Sequence, residues 1–377
     1  MSTSVYVHFP WCLQKCPYCD FASATIRRPE VPHTLYADAV LRELELRAAE
    51  GISGQLESVF FGGGTPSLWE PRELGRVLSA IRGAFGAGTR DVEVTVECNP
   101  SSLDAERAAG LREAGVDRLS VGVQSLDDQR LRFLGRLHDG PGALTALRAA
   151  QAHVPRVSGD LMFGMPEQTP DDFLAEVSQL LELGLSHLSV YALTVEPETR
   201  FGELHRKGKL QLAKEDAYAD TFLACEALLT AAGFEHYEVS NYARPGQTSR
   251  HNQHYWRGGD YLGLGCAAVG CVNQRRYRNQ TRPQAYLDAR ARPALEQESE
   301  DLDGQAIVRE ALMLGLRTSE GVALGELEAR AGVNPRHGRE RALQRGIDNG
   351  QLRLEDDRLR VPHERWLQLD GIVSDLF

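Results

Sequence analysis

Three cysteines stand within eight residues near the start of this 377-residue chain: Cys12, Cys16 and Cys19, in PWCLQKCPYCDF (residues 10–21). Thiols so close together, in a segment punctuated by Pro10 and Pro17, are poor candidates for small buried hydrophobes, the usual role of free cysteine. A disulfide is disfavoured too. The chain has seven cysteines, an odd number, and its opening MSTSVYVHFPWC lacks the basic and apolar regions of a secretory signal, so a cytoplasmic location is expected. Two metal chemistries remain. Three thiolates and a histidine could close a tetrahedral zinc site; His8 is near, but inside a predicted strand, where it points the way of Tyr6 and Pro10. Alternatively, three thiolates hold three irons of a four-iron, four-sulfur cube and leave the fourth iron open to a ligand offering an amine and a carboxylate. The C-x3-C-x2-C spacing favours the cube, with zinc as the rival.

Such a loop needs a scaffold. The first 192 residues alternate strand-like segments (4–9, 56–61, 93–97, 118–123, 157–164 and 187–193) with helix-like ones (34–49, 71–85, 103–115, two short helices around 135–142, and 170–184). Six βα units imply a parallel sheet with helices outside, either flat or curled into an open barrel, and ligands then bind at the carboxyl ends of the strands. The cysteine loop follows the first strand. So do other chemistry-bearing residues follow theirs: FFGGGTPS after the second, Glu97 ending the third, Gln124 after the fourth, and Asp160 in the fifth.

Beyond residue 194 the pattern changes. A long helix (214–233) leads to the aromatic and glycine-rich HNQHYWRGGDYLGLGCAAVG (251–270), and the acidic LEQESEDLDG (295–304) reads as a linker. From 304 onward, three helical patterns and two short strands about an EDD turn resemble a winged-helix module. The expected domains are a barrel at 1–230, a connecting segment at 231–303 and a C-terminal domain at 304–377. Net charge is −11 with a pI near 5.5, which disfavours non-specific contact with nucleic acid or anionic membrane. One basic helix at 334–346 does not offset this, and no nucleic-acid partner is expected. No apolar run is long enough for a membrane span.

CLQKCPYC resembles the cluster signature of the radical S-adenosylmethionine superfamily, whose members are built on a full or partial TIM-like barrel. The resemblance implies a [4Fe-4S] cluster on Cys12, Cys16 and Cys19, and S-adenosylmethionine cleaved to methionine and a 5′-deoxyadenosyl radical. It also implies an α/β fold with a partial (βα)6 barrel and a smaller winged-helix-like domain. Carried over residue by residue, it implies S-adenosylmethionine contacts at Tyr6, Tyr18, Phe21, Gly63, Gly64, Thr65, Glu97, Gln124, Arg136 and Asp160. Gly63, Gly64 and Thr65 would receive the methionine amine, Arg136 a carboxylate, and Tyr18 the adenine.

VHFPWCLQKCPYCDF, FGGGTPS, ECNP, RLSVGVQS, DLMFGMPEQT and LMLGLRTSEGV resemble the branch that holds oxygen-independent coproporphyrinogen III oxidases and HemW-type heme chaperones. The oxidases carry a further cysteine where Phe21 stands, and a longer N-terminal extension, so the chaperone type is favoured; oxidative decarboxylation of coproporphyrinogen III is the alternative. HNQHYW (251–256) fits a pattern used for heme in that type, which implies His251 first, His254 second and Tyr255 third as heme ligands. Relatives carry a histidine where Val269 stands. Cys266 and Cys271 flank that segment and read as structural thiols. The implied partners are heme, heme-accepting respiratory proteins met at the membrane surface, and a second copy of the chain.

Overall fold

The computed structural model describes residues 2–49, 51, 54–86 and 91–377. Six parallel strands form its centre: β1 (Ser2–Phe9), β2 (Gln55–Gly63), β3 (Glu93–Cys98), β4 (Arg118–Gln124), β5 (Arg156–Phe163) and β6 (His187–Ala192). Successive side chains of a strand point to opposite faces, and here the two faces differ in kind. Val5, Val7, Phe9, Val59, Phe61, Val94, Val96, Leu119, Val121, Leu161 and Leu188 form one buried apolar set. It packs under helices α1 (His33–Ala48), α2 (Pro71–Phe85), α3 (Ala105–Glu113), α5 (Gly140–His153) and α6 (Pro170–Glu182), with the short α4 (Asp128–Phe133) between β4 and α5. The opposite set is polar: Ser4, His8, Ser58, Glu93, Thr95, Arg118, Ser158 and His187 are all buried. The barrel lumen is therefore a hydrogen-bonded interior, not a second apolar core.

The six predicted βα units are present. Helix starts follow their sequence signals: at α6 the Thr169 hydroxyl accepts from Asp172 N (3.2 Å) and the Asp172 carboxylate from Thr169 N (3.1 Å), a capping box.

Residues 231–303, expected as a connecting segment, supply six more strands of the same sheet: β7 (Glu235–Glu238), β8 (Asn241–Ala243), β9 (Asp260–Leu264), β10 (Val269–Val272), β11 (Arg275–Asn279) and β12 (Glu296–Asp301). The order is β12-β11-β10-β9-β1-β2-β3-β4-β5-β6-β8-β7, and β9 runs parallel to β1 as a seventh barrel strand. The acidic stretch read as a linker is edge strand β12. Its carboxylates face arginines of β11, with Arg275–Glu296 at 2.7 Å and Arg276–Glu300 at 2.8 Å, so pairing removes the repulsion that made it look unstructured. Val269 begins β10, opposite Arg278.

One carboxylate fastens this extension to the barrel. Glu43 of α1, fully buried, accepts from Arg47 Nε (2.8 Å), Gly265 N (2.8 Å), Asn279 Nδ2 (2.8 Å) and Tyr286 Oη (2.7 Å). A buried charge is tolerated when its lone pairs are filled in this way.

The C-terminal domain has helices Gly304–Gly315, Leu324–Ala331 and Glu340–Asp348 and a three-stranded sheet of Val322–Ala323, Arg358–Arg360 and Arg353–Glu355, a winged-helix arrangement. Its hairpin turns at Asp356 and Asp357, both with positive φ (48° and 63°), as a two-residue hairpin loop requires. The domain docks on the β7 edge, where Val239 N donates to Arg317 O (3.0 Å) and Ser319 N to Tyr237 O (3.1 Å). Among the described residues no helix is long and apolar enough to cross a membrane.

Candidate cofactor site

The cysteine loop leaves β1 at the carboxyl end of the barrel strands and is clamped at its base. Trp11–Cys12 pairs with Ala24–Thr25, Ala24 N donates to Pro10 O (2.8 Å) and Ile26 N to Cys12 O (2.9 Å). His8 serves the same clamp. Its ring bonds to Tyr6 Oη through Nδ1 (3.0 Å) and to Ala22 O through Nε2 (2.8 Å), so both ring nitrogens are engaged and neither is left for a metal. The middle of the loop rests on the end of α4, where Gly135 O accepts from Gln14 Nε2 (3.1 Å), and on the start of α7 (Arg200–Arg206), where Phe201 N donates to Pro17 O (2.8 Å).

The glycine run after β2 threads under the loop. Gly64 N donates to Phe9 O (2.7 Å) and Thr65 N to Trp11 O (2.8 Å). A Cβ on Gly64 would stand 2.6 Å from Trp11 O, so only glycine allows this approach. Thr65 Oγ1 reaches Cys12 Sγ at 3.5 Å, and Arg136 Nη1 reaches Cys16 Sγ at 3.6 Å. Arg136 also donates to Gly122 O (2.6 Å), while its Nε is buried without a partner.

These groups surround a cavity of about 490 Å³. Its walls include all three cysteines and Tyr18, Phe21, Gly63, Gly64, Thr65, Glu97, Gln124, Arg136 and Asp160. Tyr6 is the exception among the expected contacts: it lies below the cavity, stacked on Phe60 and donating to His8. The sequence reading missed Asn99, Ser120, Met162, Tyr191 and Glu196, which line the same space. Asn99, Met162, Tyr191 and Glu196 lie at or just beyond the carboxyl ends of β3, β5 and β6, a positional signal available once the strands were assigned, whereas Ser120 sits inside β4 with no such signal.

The electrostatics suit a bound cation or metal. Burial pushes the Glu97 carboxyl up to about 7, with the Asp160 charge adding to it and the bond from Gly63 N (3.1 Å) opposing. Burial likewise lifts Asp160 to about 6, against the Arg118 charge and hydroxyl bonds from Ser120 and Ser158. Burial raises the Cys12 thiol, and Cys19 to about 11. Gln124 has φ 67°, and the β4–β5 register slips beside it. A non-glycine residue in the left-handed region costs energy and is retained where the surroundings dictate it; its amide lies over Gly122 next to Arg136.

The donor set tests what could bind. A zinc–thiolate tetrahedron places its sulfurs about 3.8 Å apart. Among the described residues, however, the only trio of His, Cys, Asp or Glu ligand atoms within 4.8 Å of one another is Glu226, His236 and His363. The three loop thiols do not all fall within that limit, so they are not gathered as a closed zinc site requires, and an arginine with an unpaired buried N–H stands beside them. The residues fit an iron–sulfur cube with an anionic ligand better than zinc.

HNQHYW forms α9 (Arg250–Trp256) at the other end of the barrel. His251 Nδ1 bonds to Ser58 Oγ (2.8 Å), its ring stacks on Phe60 at 4.9 Å, and its N donates to Glu93 Oε1 (3.0 Å). The ring is 8% exposed, and burial holds it neutral, with its pKa down at about 3. Ranked first as a ligand from the sequence, His251 is instead the least accessible of the three, because the barrel base closes over it. His254 Nε2 donates to Asp260 O (2.8 Å), which leaves Nδ1 as its acceptor, and Tyr255 is exposed beside Tyr261.

Residues 6–180 match the Radical SAM superfamily and residues 302–367 the HemN C-terminal domain. Heme chaperone HemW of Escherichia coli is 42% identical over 270 residues, covering 71% of this chain and 70% of that protein. Heme chaperone HemW of Mycobacterium tuberculosis is 36% identical over 375 residues, covering 99% of this chain and 94% of its own. The solved structure of Escherichia coli coproporphyrinogen III oxidase (HemN) superimposes with a TM-score of 0.82 over 100% of this chain and 89% of that one, at 21% identity, a likeness of fold. With a three-cysteine loop over a partial barrel, one relative matched nearly end to end and another over about 70% of each chain, the chain belongs to the HemW heme chaperone family of the radical S-adenosylmethionine superfamily.

Proposed function

We propose that this protein binds heme and hands it to acceptor proteins, respiratory membrane proteins among them, while carrying a [4Fe-4S] cluster and S-adenosylmethionine at the barrel mouth. The observation that carries this reading is 36% identity across 99% of the chain to a heme chaperone. The cavity supports the cofactor part. Cys12, Cys16 and Cys19 would hold the cluster, Gly63, Gly64 and Thr65 the methionine amine, and Arg136, with its spare Nε–H, the carboxylate. Gln124, Glu97 and Asp160 would bind the polar remainder and Tyr18 the adenine; Phe21 would lie at the rim and Tyr6 beneath. When bound and reduced, the cluster held by Cys12, Cys16 and Cys19 would supply one-electron chemistry toward the sulfonium of S-adenosylmethionine.

Glu97 makes this pH-dependent. With its carboxyl lifted to about 7, it is largely neutral below that pH and becomes an anion above it. Only the anion attracts the cationic cofactor. S-adenosylmethionine affinity is therefore expected to rise several-fold between about pH 6 and 8, and Glu97→Gln to flatten the profile. Calorimetric titration across that range checks it; an unchanged profile in Glu97→Gln removes Glu97 from the site.

Heme is assigned to the α9 side. The neutral His251 ring, with Nδ1 held by Ser58, resembles a ligating imidazole with its second nitrogen fixed, but iron reaches it only if α9 moves off the barrel base. Heme titration into wild type, His251→Ala and Tyr255→Phe tests the assignment by absorption spectrum. A histidine-ligated spectrum lost in His251→Ala, with helix content retained, is expected. Unchanged spectra in both variants would remove His251 and Tyr255 as heme ligands.

A further inference from the structure

We propose that Glu226, His236 and His363 form a site for a divalent transition-metal ion of the zinc class, which ties the C-terminal domain to the barrel. The three residues come from three elements: Glu226 from helix α8 (Glu215–Ala231), His236 from strand β7, and His363, far off in the chain, from the first residue of the short helix His363–Gln368. Their ligand atoms all lie within 4.8 Å of one another. Glu226 Oε1 is 3.1 Å from His236 Nδ1 and 3.9 Å from His363 Nδ1.

Hydrogen bonding explains why something positive belongs there. His236 Nε2 stands 3.1 Å from Val239 O. A carbonyl only accepts, so Nε2 carries a proton, and in the neutral form of the ring Nδ1 would turn a lone pair toward a carboxylate oxygen that also only accepts. Two acceptors 3.1 Å apart need a cation between them. A proton would serve His236 and Glu226 alone. A metal serves all three groups: bonds of about 2.0–2.2 Å place ligating atoms about 3–3.5 Å apart, and the half-exposed His363, now 3.9 Å from Glu226 Oε1, is the ligand free to close in.

The site is also rigid. The His236 ring is stacked on Tyr242 (centroids 3.9 Å, interplanar 14°) and met edge-on by Trp366 at 4.4 Å, and Trp366 also packs on His363 at 4.3 Å. A ligating histidine whose other nitrogen donates to a backbone carbonyl is the arrangement that fixes tautomer and orientation. Two imidazoles and one carboxylate suit zinc among the common divalent ions, and the partly exposed side leaves a fourth position for water. The ion would reinforce the backbone bonds that already seat residues 317–319 on the β7–β8 edge.

The test is a Co²⁺ titration of the full chain carrying Cys12→Ala, Cys16→Ala and Cys19→Ala, so that the loop thiols cannot compete. One equivalent should bind, with visible ligand-field bands, no thiolate charge-transfer band, and displacement by Zn²⁺. His363→Ala, which removes a half-exposed side chain, and Glu226→Gln, which keeps its volume, should each weaken binding by about 10- to 100-fold. In the cluster-loaded protein with native thiols, Zn²⁺ should raise the unfolding temperature and fail to do so in His363→Ala. Absence of saturable Co²⁺ uptake, a thiolate band, or equal affinity in His363→Ala would each overturn the proposal and leave Glu226 and His236 as a proton-bridged pair.

Discussion

Replacing any one of Cys12, Cys16 and Cys19 by alanine should reduce the iron and sulfide recovered after anaerobic reconstitution from about four of each per chain to below about one. Three thiolates already leave one iron without a protein ligand, and two leave half the cube unheld. No neighbour can substitute. Cys98 lines the same cavity, but its Sγ points at Val96 O (3.6 Å) in the buried apolar layer. Cys98→Ala is therefore the matched control and should keep its full iron. The fold should survive all four changes, since the loop is held by His8, by the Trp11–Cys12 pairing and by backbone bonds that use no thiol. Full iron content in Cys16→Ala would show that these cysteines are not the ligands.

Glu93→Gln should destabilise the protein by roughly 3–5 kcal/mol, the range for breaking a buried ion pair from one side. Glu93 is fully buried at the barrel base. Its carboxylate takes Arg156 Nη1 (2.7 Å), Arg250 N (3.1 Å) and His251 N (3.0 Å). The amide strands the Arg156 charge and cannot accept from all three donors, and α9 loses its anchor. Burial alone would raise the Glu93 pKa; the Arg118 and Arg156 charges more than reverse this and hold it below the ordinary carboxylate range. A depressed folded-state pKa means that the stabilisation is complete above the unfolded value, about 4.3, and is lost as pH falls through the lower folded value. Wild type should converge on Glu93→Gln in that acid window and exceed it at neutrality. Urea unfolding at neutral pH and at a series of falling pH values that passes through the folded titration checks both points, and a neutral-pH difference under about 0.5 kcal/mol would refute the anchoring role.

How much of this was legible beforehand depended on pattern length. Strands β1–β6 announced themselves because each is a run of six or more residues followed by a helix, and the chemistry at their carboxyl ends fell into one cavity. Strands β7–β12 did not. They are short and mostly antiparallel, and their signals were masked: glycines in GGDYLGLG, which permit the close β9–β10 approach at Gly263 and Gly270, and acids in β12 whose partners lie on another strand. The polar lumen was hidden for another reason. A strand such as EVTVE shows alternation, but not that Glu93 and Glu97 point into a closed interior. His251 shows the limit of motif reading: spacing identified a residue set, while its burial came from the packing of α9 on β2 and β3.

The two borders of the sheet bear on how copies of the protein can meet. Along one border, β12 presents Glu298, Glu300 and Asp301 to solvent. Along the other, the backbone of β7 is already occupied by residues 317–319. Strand-by-strand zippering between copies would juxtapose like charges at the first border and meet residues 317–319 already bonded along the second. Any homodimer must therefore join through side-chain surfaces and not by extending the sheet, and the same protection guards a chain with a polar-cored barrel against fibrous aggregation.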